Sequence, residues 1–365
     1  MRTLFRLATL ALAALAIDAR ADYAPKAWDV VTLADGVHGF VWRDPLADPI
    51  EGNALFIVNE EDVVVVDSGL LPSSARIMAR ELQRLTSKPV RFVVNTHWHN
   101  DHVGGNGVYR ETWPGVEFIA HEDTRTDILE QVYANQEANL QANERTTDTY
   151  AKYVESGVDG DGKPLAPERR QRLAEVVSMY RAVLPDLRRV EKVPPDVTFR
   201  DRLVLRRGER TIEILWLGLG NTRGDAVVFL PKERIVATGD LLVWPVPFMF
   251  GSYHAEWPAT LEKLDALAAD TLFLSHGAPQ RDRGYLRQVR DLLAFIRDEA
   301  RKAAATDLPP AEAKKAIELS DWKKRFAKGD ARRERAFDAF VTAPSLERAI
   351  RQARGDAGAM TQKLR

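Results

Sequence analysis

The sequence predicts an α/β chain of two successive halves, with a helical insertion between them and a helical extension after them. Three observations carry this. Short β-branched and apolar runs bounded by turn residues recur over 28–66 and again over 197–238. Helical spacing of apolar residues follows each set, first over 73–85 and then over 257–267. Each half also runs its last strand into an aspartate-bearing loop, Asp67-Ser68-Gly69 in the first and Thr238-Gly239-Asp240 in the second.

The N-terminus reads as a leader. Arg2 and Arg6 supply a positive start, Leu7 to Ile17 a short apolar core, and Ala19-Arg20-Ala21 a small-x-small cleavage site. Residues 1–21 are therefore expected to be a signal peptide and Asp22 the first mature residue, which places the protein in the periplasm or outside the cell. No stretch is long and apolar enough for an integral membrane segment once the leader is removed. The chain has no cysteine, so neither disulfides nor thiolate chemistry is available. Its 52 Lys+Arg nearly balance 53 Asp+Glu, which points to no nucleic-acid partner and no anionic membrane. A small-molecule substrate is the expected partner; oligomeric state is left open.

Trp28 to Leu33 and Val37 to Trp42 read as strands. Ala54 to Val58 and Val63 to Val66 read as a hairpin, its second run apolar on both faces and hence central. A helix follows, capped by Ser73 or Ser74, with Ile77, Met78, Leu82 and Leu85 on its buried face. The run from Val90 is a buried strand, and Val116 to Ala120 another. Residues 122–190 form the insertion, a lid or wall beside the cleft. One helix runs through Ile128, Leu129, Val132, Tyr133 and Leu140, and a second through Leu173 to Leu184. Asp159-Gly160-Asp161-Gly162-Lys163-Pro164 between them is a solvated turn. Lys163 and Pro164 stand where a calcium loop needs an acidic ligand and a glycine. From Val197 the strand rhythm returns, with a hairpin around Arg206 to Arg210, a second around Pro231-Lys232-Glu233, and a strand over Thr271 to Leu274. The main domain is expected to span 22–285, and charged helices to fill the extension over 286–365, with solvated faces at Lys323-Lys324-Arg325 and Arg332 to Arg335.

The chemistry concentrates at His97-Trp98-His99-Asn100-Asp101-His102, which places three of the chain's seven histidines in six residues. Imidazole nitrogens and carboxylate oxygens are the ligands of catalytic zinc. A helix would set His97 and Asp101 on one face and turn His99 away. A tight loop after a strand can aim all four into one cleft. His38 and His121 read as structural, the latter heading the insertion. Tyr253 and His254 end an apolar aromatic loop after Asp240 and are candidates for lining a substrate pocket.

This pattern resembles the metallo-β-lactamase superfamily, whose hallmark H-x-H-x-D-H follows a strand. Asp67, the segment Gly218 to Asp225, Asp240 and His276 in Ser275-His276-Gly277 occur in the family's order. The resemblance implies an αββα sandwich covering about residues 30–285. It implies His97 and His99 on a first metal ion, Asp101, His102 and His276 on a second, and Asp240 between them. Asp67 would order the ligand loop from behind, and Asp101 could steer the nucleophile or protonate the leaving group. One departure stands out: Asn221 occupies the place of the family's third histidine for the first ion. An amide oxygen binds zinc more weakly than imidazole, so Asn221 is a weak first-site ligand or a substrate contact. One or two Zn²⁺ ions fit, as would iron or manganese. The implied activity is hydrolysis of a β-lactam, lactone or other ester by a metal-activated hydroxide, with Asp101 and Asp240 catalytic. Rival readings are a single-iron oxidoreductase, a thioester hydrolase of the glyoxalase II kind, and a metal-binding protein without catalysis.

Overall fold

The computed structural model describes residues 27–356; the leader assigned to 1–21 lies outside them. Two sheets stack face to face. The first runs β1 (Trp28–Ala34), β2 (Val37–Trp42), β3 (Ala54–Val58), β4 (Val63–Val66), β5 (Val90–Val94), β6 (Glu117–His121) and β7 (Val197–Phe199), in that spatial order. The second holds β8 (Arg202–Arg207), β9 (Arg210–Trp216), β10 (Ala226–Leu230), β11 (Ile235–Ala237) and β12 (Thr271–Phe273), in the order β12-β11-β10-β9-β8. β4 through β7 are parallel, as are β11 and β12. β7 pairs with β6, so the strand expected to open the second half closes the first sheet instead.

The period-two alternation of the strands makes the layers. Val64, Val66, Leu55 and Ile57 point between the sheets, where they meet Ile212, Ile214, Val228 and Phe273. Val63, Val65 and Phe56 point the other way, onto helix α1 (Pro72–Leu85). Each such buried side chain contributes about 1.5–3 kcal/mol, so β4, buried on both faces, is central as expected.

α1 starts at Pro72 and has no side-chain cap; the serine cap expected from sequence is absent. The Ser74 hydroxyl instead donates to the buried Glu51 carboxylate at 2.6 Å. A one-turn helix α2 (Asn100–Val103) and α3 (Asn106–Thr112) follow β5. The insertion contains α4 (Glu122–Asp127), α5 (Gln136–Ser156) and α6 (Pro167–Leu187). A π turn over Ile128–Tyr133 and a break at Ala134-Asn135 divide the run that helical spacing joins into one. The Asp159 turn is solvated, its carboxylate accepting from the amides of Asp161 and Lys163.

On the far face of the second sheet lie α7 (Trp257–Ala266) and α8 (Gly284–Ala304), then α9 (Pro310–Ala313), α10 (Ser320–Ala327), α11 (Ala331–Phe337) and α12 (Ala343–Ala353). Leu286, Val289, Leu293 and Ile296 of α8 share one core with Val227, Val236 and Leu272 of the sheet, and Phe337 and Ile350 join it. The result is a four-layer αββα arrangement.

Candidate metal centre

The site forms where several strands end together. β4 and β5 are parallel neighbours, so Asp67 and the His97–His102 segment leave the first sheet at one edge. β11 and β12 are parallel too, and deliver Asp240 and His276 to the facing edge of the second. Asp67 sits at φ 62°, a left-handed conformation that aspartate tolerates better than most residues. The start of α3 packs against this turn without space for a side chain. A Cβ on Gly104 would lie 2.1 Å from the Leu70 carbonyl oxygen, and one on Gly105 the same distance from that of Ser68.

Asp240 is the hub. Its Oδ2 lies 3.4 Å from His97 Nε2 and 3.7 Å from His99 Nδ1. Its Oδ1 lies 3.5 Å from His102 Nε2 and 3.4 Å from His276 Nε2. Asp101 Oδ2 is 3.1 Å from both of those last nitrogens. The loop therefore gathers all four side chains of the H-x-H-x-D-H segment, with Asp101 and His102 on the single turn of α2. Two groups of three bring their ligand atoms within 4.8 Å of one another: His97, His102 and Asp240, and Asp101, His102 and His276. His102 belongs to both; the Asp240 oxygen it faces sets it beside His276.

The surroundings fix which ring nitrogen faces inward. Thr96 Oγ1 donates to Asp67 Oδ2 at 2.9 Å, so it accepts at 3.0 Å from His97 Nδ1 and leaves the His97 Nε2 lone pair for the cleft. Asp67 Oδ2 also accepts a hydrogen bond from His102 Nδ1–H, at 2.9 Å. His102 Nε2 and His276 Nε2 are buried with no hydrogen-bond partner among the described residues. Buried lone pairs aimed at carboxylates, with no proton donor between them, fit a cation.

The electrostatics agree. Burial raises the Asp240 carboxyl, but His97, His102 and His276 outweigh it and hold it well below the usual carboxylate range. Burial also lowers the His276 imidazole, and Asp240 and Asp101 more than reverse this, to about 9. Protons here stand where a divalent ion would take their place. For His97 burial dominates, with the neighbouring His102 adding to it, and the ring is held at about 4.

Asn221 is fully buried in the same cleft. Its Nδ2 donates to Asp240 Oδ2 at 3.3 Å, and its Oδ1 accepts from Ser252 Oγ at 3.2 Å. The amide thus presents nitrogen rather than oxygen to the ligand cluster, and a nitrogen carrying two hydrogens is no metal ligand. In this arrangement Asn221 is a donor steadying Asp240, and it lies in the same cleft as the ligand side chains. His254 is buried against Arg348 and Gln352 of α12, and Tyr253 is buried beside it with its amide on the Gly220 carbonyl. His121 caps α4, accepting from the Asp123 amide, and stacks on Trp216. His38 lies on β2 at 3.2 Å from the Thr32 hydroxyl.

Several residues of the site carry no motif. Ser275 Oγ donates to Asp240 Oδ1 at 2.5 Å. Asn53 Nδ2 donates to the carbonyls of Leu274 and Gly277, on either side of His276, while its Oδ1 accepts from the Trp42 amide. Phe248 packs against the His276 ring with centroids 5.1 Å apart. Arg223 makes a two-point contact with Asp127 of α4, tying the insertion to the Asn221 segment.

Comparison with known proteins follows the same lines. The chain is 25% identical over 278 residues to a linear primary-alkylsulfatase from a Pseudomonas species, a match covering 71% of this chain and 48% of that protein. It is 37% identical over 82 residues to a hydroxyacylglutathione hydrolase from Gloeobacter violaceus, covering 22% of this chain and 31% of that protein. The matches thus span half or less of those relatives. Among solved structures, a metallo-beta-lactamase from Pontibacter korlensis superposes with a TM-score of 0.51 at 18% identity, over 73% of this chain and 99% of the other, which is a likeness of fold. A model of the metallo-beta-lactamase superfamily matches residues 47–276, and the chain belongs to that superfamily.

Proposed function

We propose that the chain is an exported, zinc-dependent hydrolase that cleaves an ester bond. The observation that carries this is Asp240, with one carboxylate oxygen toward His97 and His99 and the other toward His102 and His276. His97, His99 and Asp240 would hold one ion, and Asp101, His102, His276 and Asp240 a second. All donors are imidazole nitrogens or carboxylate oxygens, a set that suits zinc. Bound zinc lowers the pKa of water toward 7 and polarises the ester oxygen.

The chain's residues supply the rest. Ser275 and Asn221 hold Asp240 by its two oxygens. Asp67 and Thr96 keep His102 and His97 in the tautomers that face the cleft. Asp101 is the more exposed of the two cluster carboxylates, 18% against 2%, and so is placed to accept the proton that the attacking water gives up and pass it to the leaving alcohol. Phe248 keeps water from the back of His276. The likeness to an alkylsulfatase and a hydroxyacylglutathione hydrolase supports sulfate esters and acyl esters or thioesters as substrate classes. β-Lactams and lactones belong to the same reaction type.

A panel of chromogenic sulfate esters, carboxylic esters, lactones and β-lactams tests the reading. Turnover of at least one class should disappear with chelator and return with zinc, and His102→Ala or His276→Ala should abolish it. Turnover that ignores chelation, or survives in both variants, would falsify the assignment. Export rests on the Arg2 to Ala21 pattern. The intact mass of periplasmic protein should begin at Asp22; a mass retaining Met1 to Ala21 overturns it.

A further inference from the structure

We infer that α12, in the C-terminal extension, belongs to the metal centre: Arg348 and Gln352 are positioning residues that set the Asn221 amide against Asp240 and so tune the first ion's site. That an ion binds there rests on the reading above; the hold of α12 on Asn221 does not.

The link is Ser252, in the loop between Asp240 and α7. Arg348 and Gln352 stand four apart on α12 and so share one face of it. Arg348 Nε donates to the Ser252 carbonyl at 3.0 Å, and Gln352 Nε2 donates to the same oxygen at 2.8 Å. Both lone pairs of that carbonyl are thus taken by α12. Gln352 Oε1 accepts from the His254 amide at 3.2 Å, so one side chain holds the loop at two points. Arg348 is half-buried and forms no ion pair with a carboxylate among the described residues, whereas Arg351 on the same helix pairs with Glu347. Its charge-assisted bond to Ser252 is the hydrogen bond that fixes this side chain.

The other side of the same loop faces the ligands. Ser252 Oγ donates to Asn221 Oδ1 at 3.2 Å, and the Tyr253 amide donates to the Gly220 carbonyl at 2.8 Å. Asn221 Nδ2 in turn donates to Asp240 Oδ2 at 3.3 Å, the oxygen that faces His97 and His99. The Asp240 carboxylate can only accept, so the amide must turn its nitrogen there and its oxygen to Ser252. The Ser252 hydroxyl must then donate, and the carbonyl of that residue, held by α12, fixes where the hydroxyl stands. Ser252 and Asn221 are wholly buried, so bulk water does not compete for these bonds. A line of hydrogen bonds with one direction therefore runs from α12 through Ser252 and Asn221 to the oxygen that the first ion would share.

The test is zinc titration in competition with a chelating dye, the first ion's step being the one lost in His99→Ala. Arg348→Met keeps the packed stem and removes the donor, and Gln352→Leu removes both loop contacts. Each should weaken the first ion's step about three- to tenfold, less than the loss of a group bonded to the ligand itself, and leave the second step within about twofold. Arg348→Lys, which restores a donor to Ser252, should recover most of the loss. In an Asn221→Ala background, where the amide is gone, the same α12 substitutions should move the first step by less than about twofold. Equal losses in both backgrounds, or unchanged first-step affinity in folded Arg348→Met and Gln352→Leu, overturn the proposal and leave α12 a part of the fold alone. In the metal-free protein the side-chain amide resonance of Asn221, identified by its loss in Asn221→Ala, should move in both α12 variants. A wild type that binds no zinc sinks the hydrolase reading, and that resonance then decides the role of α12 by itself: unmoved, it overturns the proposal.

Discussion

Asp67 Oδ2 lies 2.9 Å from His102 Nδ1, on the side of the ring away from Asp101 and Asp240. The carboxylate can only accept, so it fixes the ring proton on Nδ1 and leaves Nε2 free for the cleft. Asp67→Asn keeps the size and removes that certainty. The new amide can donate to Nδ1, which moves the ring proton to Nε2. Zinc affinity should fall about 10–100-fold, the usual cost of losing a group that orients a ligand histidine. Equilibrium dialysis against zinc checks it; unchanged affinity with intact circular dichroism would show that Asp67 only closes the turn.

Asn53 acts on His276 from the other half of the sandwich. Its side chain takes the Trp42 amide and gives both amide hydrogens to Leu274 and Gly277. Asn53→Ala strands three buried backbone groups, at about 1–3 kcal/mol each before relaxation, so a loss of about 3–5 kcal/mol in urea unfolding is expected. Asn53→Asp keeps the acceptor for Trp42 but sets a carboxylate against two carbonyls. It should lose zinc from the His276 side and be at least as destabilised as Asn53→Ala, because the buried charge faces two acceptors. Equal zinc content in wild type and Asn53→Asp would show that Asn53 serves the fold alone.

These two residues mark where the sequence was legible and where it was not. The cluster His97 to His102 is contiguous, and its ligand chemistry can be read from residue type alone. Asp240 and His276 are distant, and only their order relative to that cluster revealed them. Asn53 follows no motif. Its partners lie 221 and 224 residues away, and nothing in a local run of Glu51-Gly52-Asn53-Ala54 announces them. The αββα layers came from the family resemblance, because β3, β4 and β10 are apolar on both faces and alternation in them does not say which face meets the other sheet. β7 was misplaced because Val197 to Phe199 is too short to show which sheet it joins. The single helix expected through Leu140 failed because apolar spacing continues across Ala134-Asn135 while the backbone does not.

His254 sets a pH dependence of stability. Burial, with the Arg348 guanidinium beside it, holds its imidazole down at about 3. In the unfolded chain the same group titrates near 6.5. The folded value is the lower one, so its contribution is complete above pH 6.5. It is lost as pH falls from there toward 3, because only the unfolded state then takes up the proton. Between pH 7 and pH 5 the loss should be about 2 kcal/mol. Urea unfolding of metal-free protein at both pH values, wild type against His254→Gln, isolates this from the cluster histidines. The variant should lose less stability on acidification, by about that amount; parallel losses would mean that His254 is protonated in the fold.

Asn221 stands where a third imidazole would complete the first ion's set. It is fully buried, and its Nδ2 lies 3.3 Å from Asp240 Oδ2, the oxygen that also faces His97 and His99. The position thus looks into the first-ion half of the cluster but offers it only N–H. Asn221→His would place a ring nitrogen there, and imidazole is a better zinc donor than any amide atom. The change also deprives Ser252 Oγ of its acceptor, at about 1 kcal/mol of stability. First-site zinc binding should tighten on the order of tenfold, about 1.4 kcal/mol. Activity need not follow, because a donor that steadies Asp240 is removed in the exchange. Competition with a chelating dye reads the affinity directly and separately from turnover. Superimposable zinc-binding curves for wild type and variant would mean that the residue at 221 does not reach the ion, and that His97, His99 and Asp240 complete the first site without it.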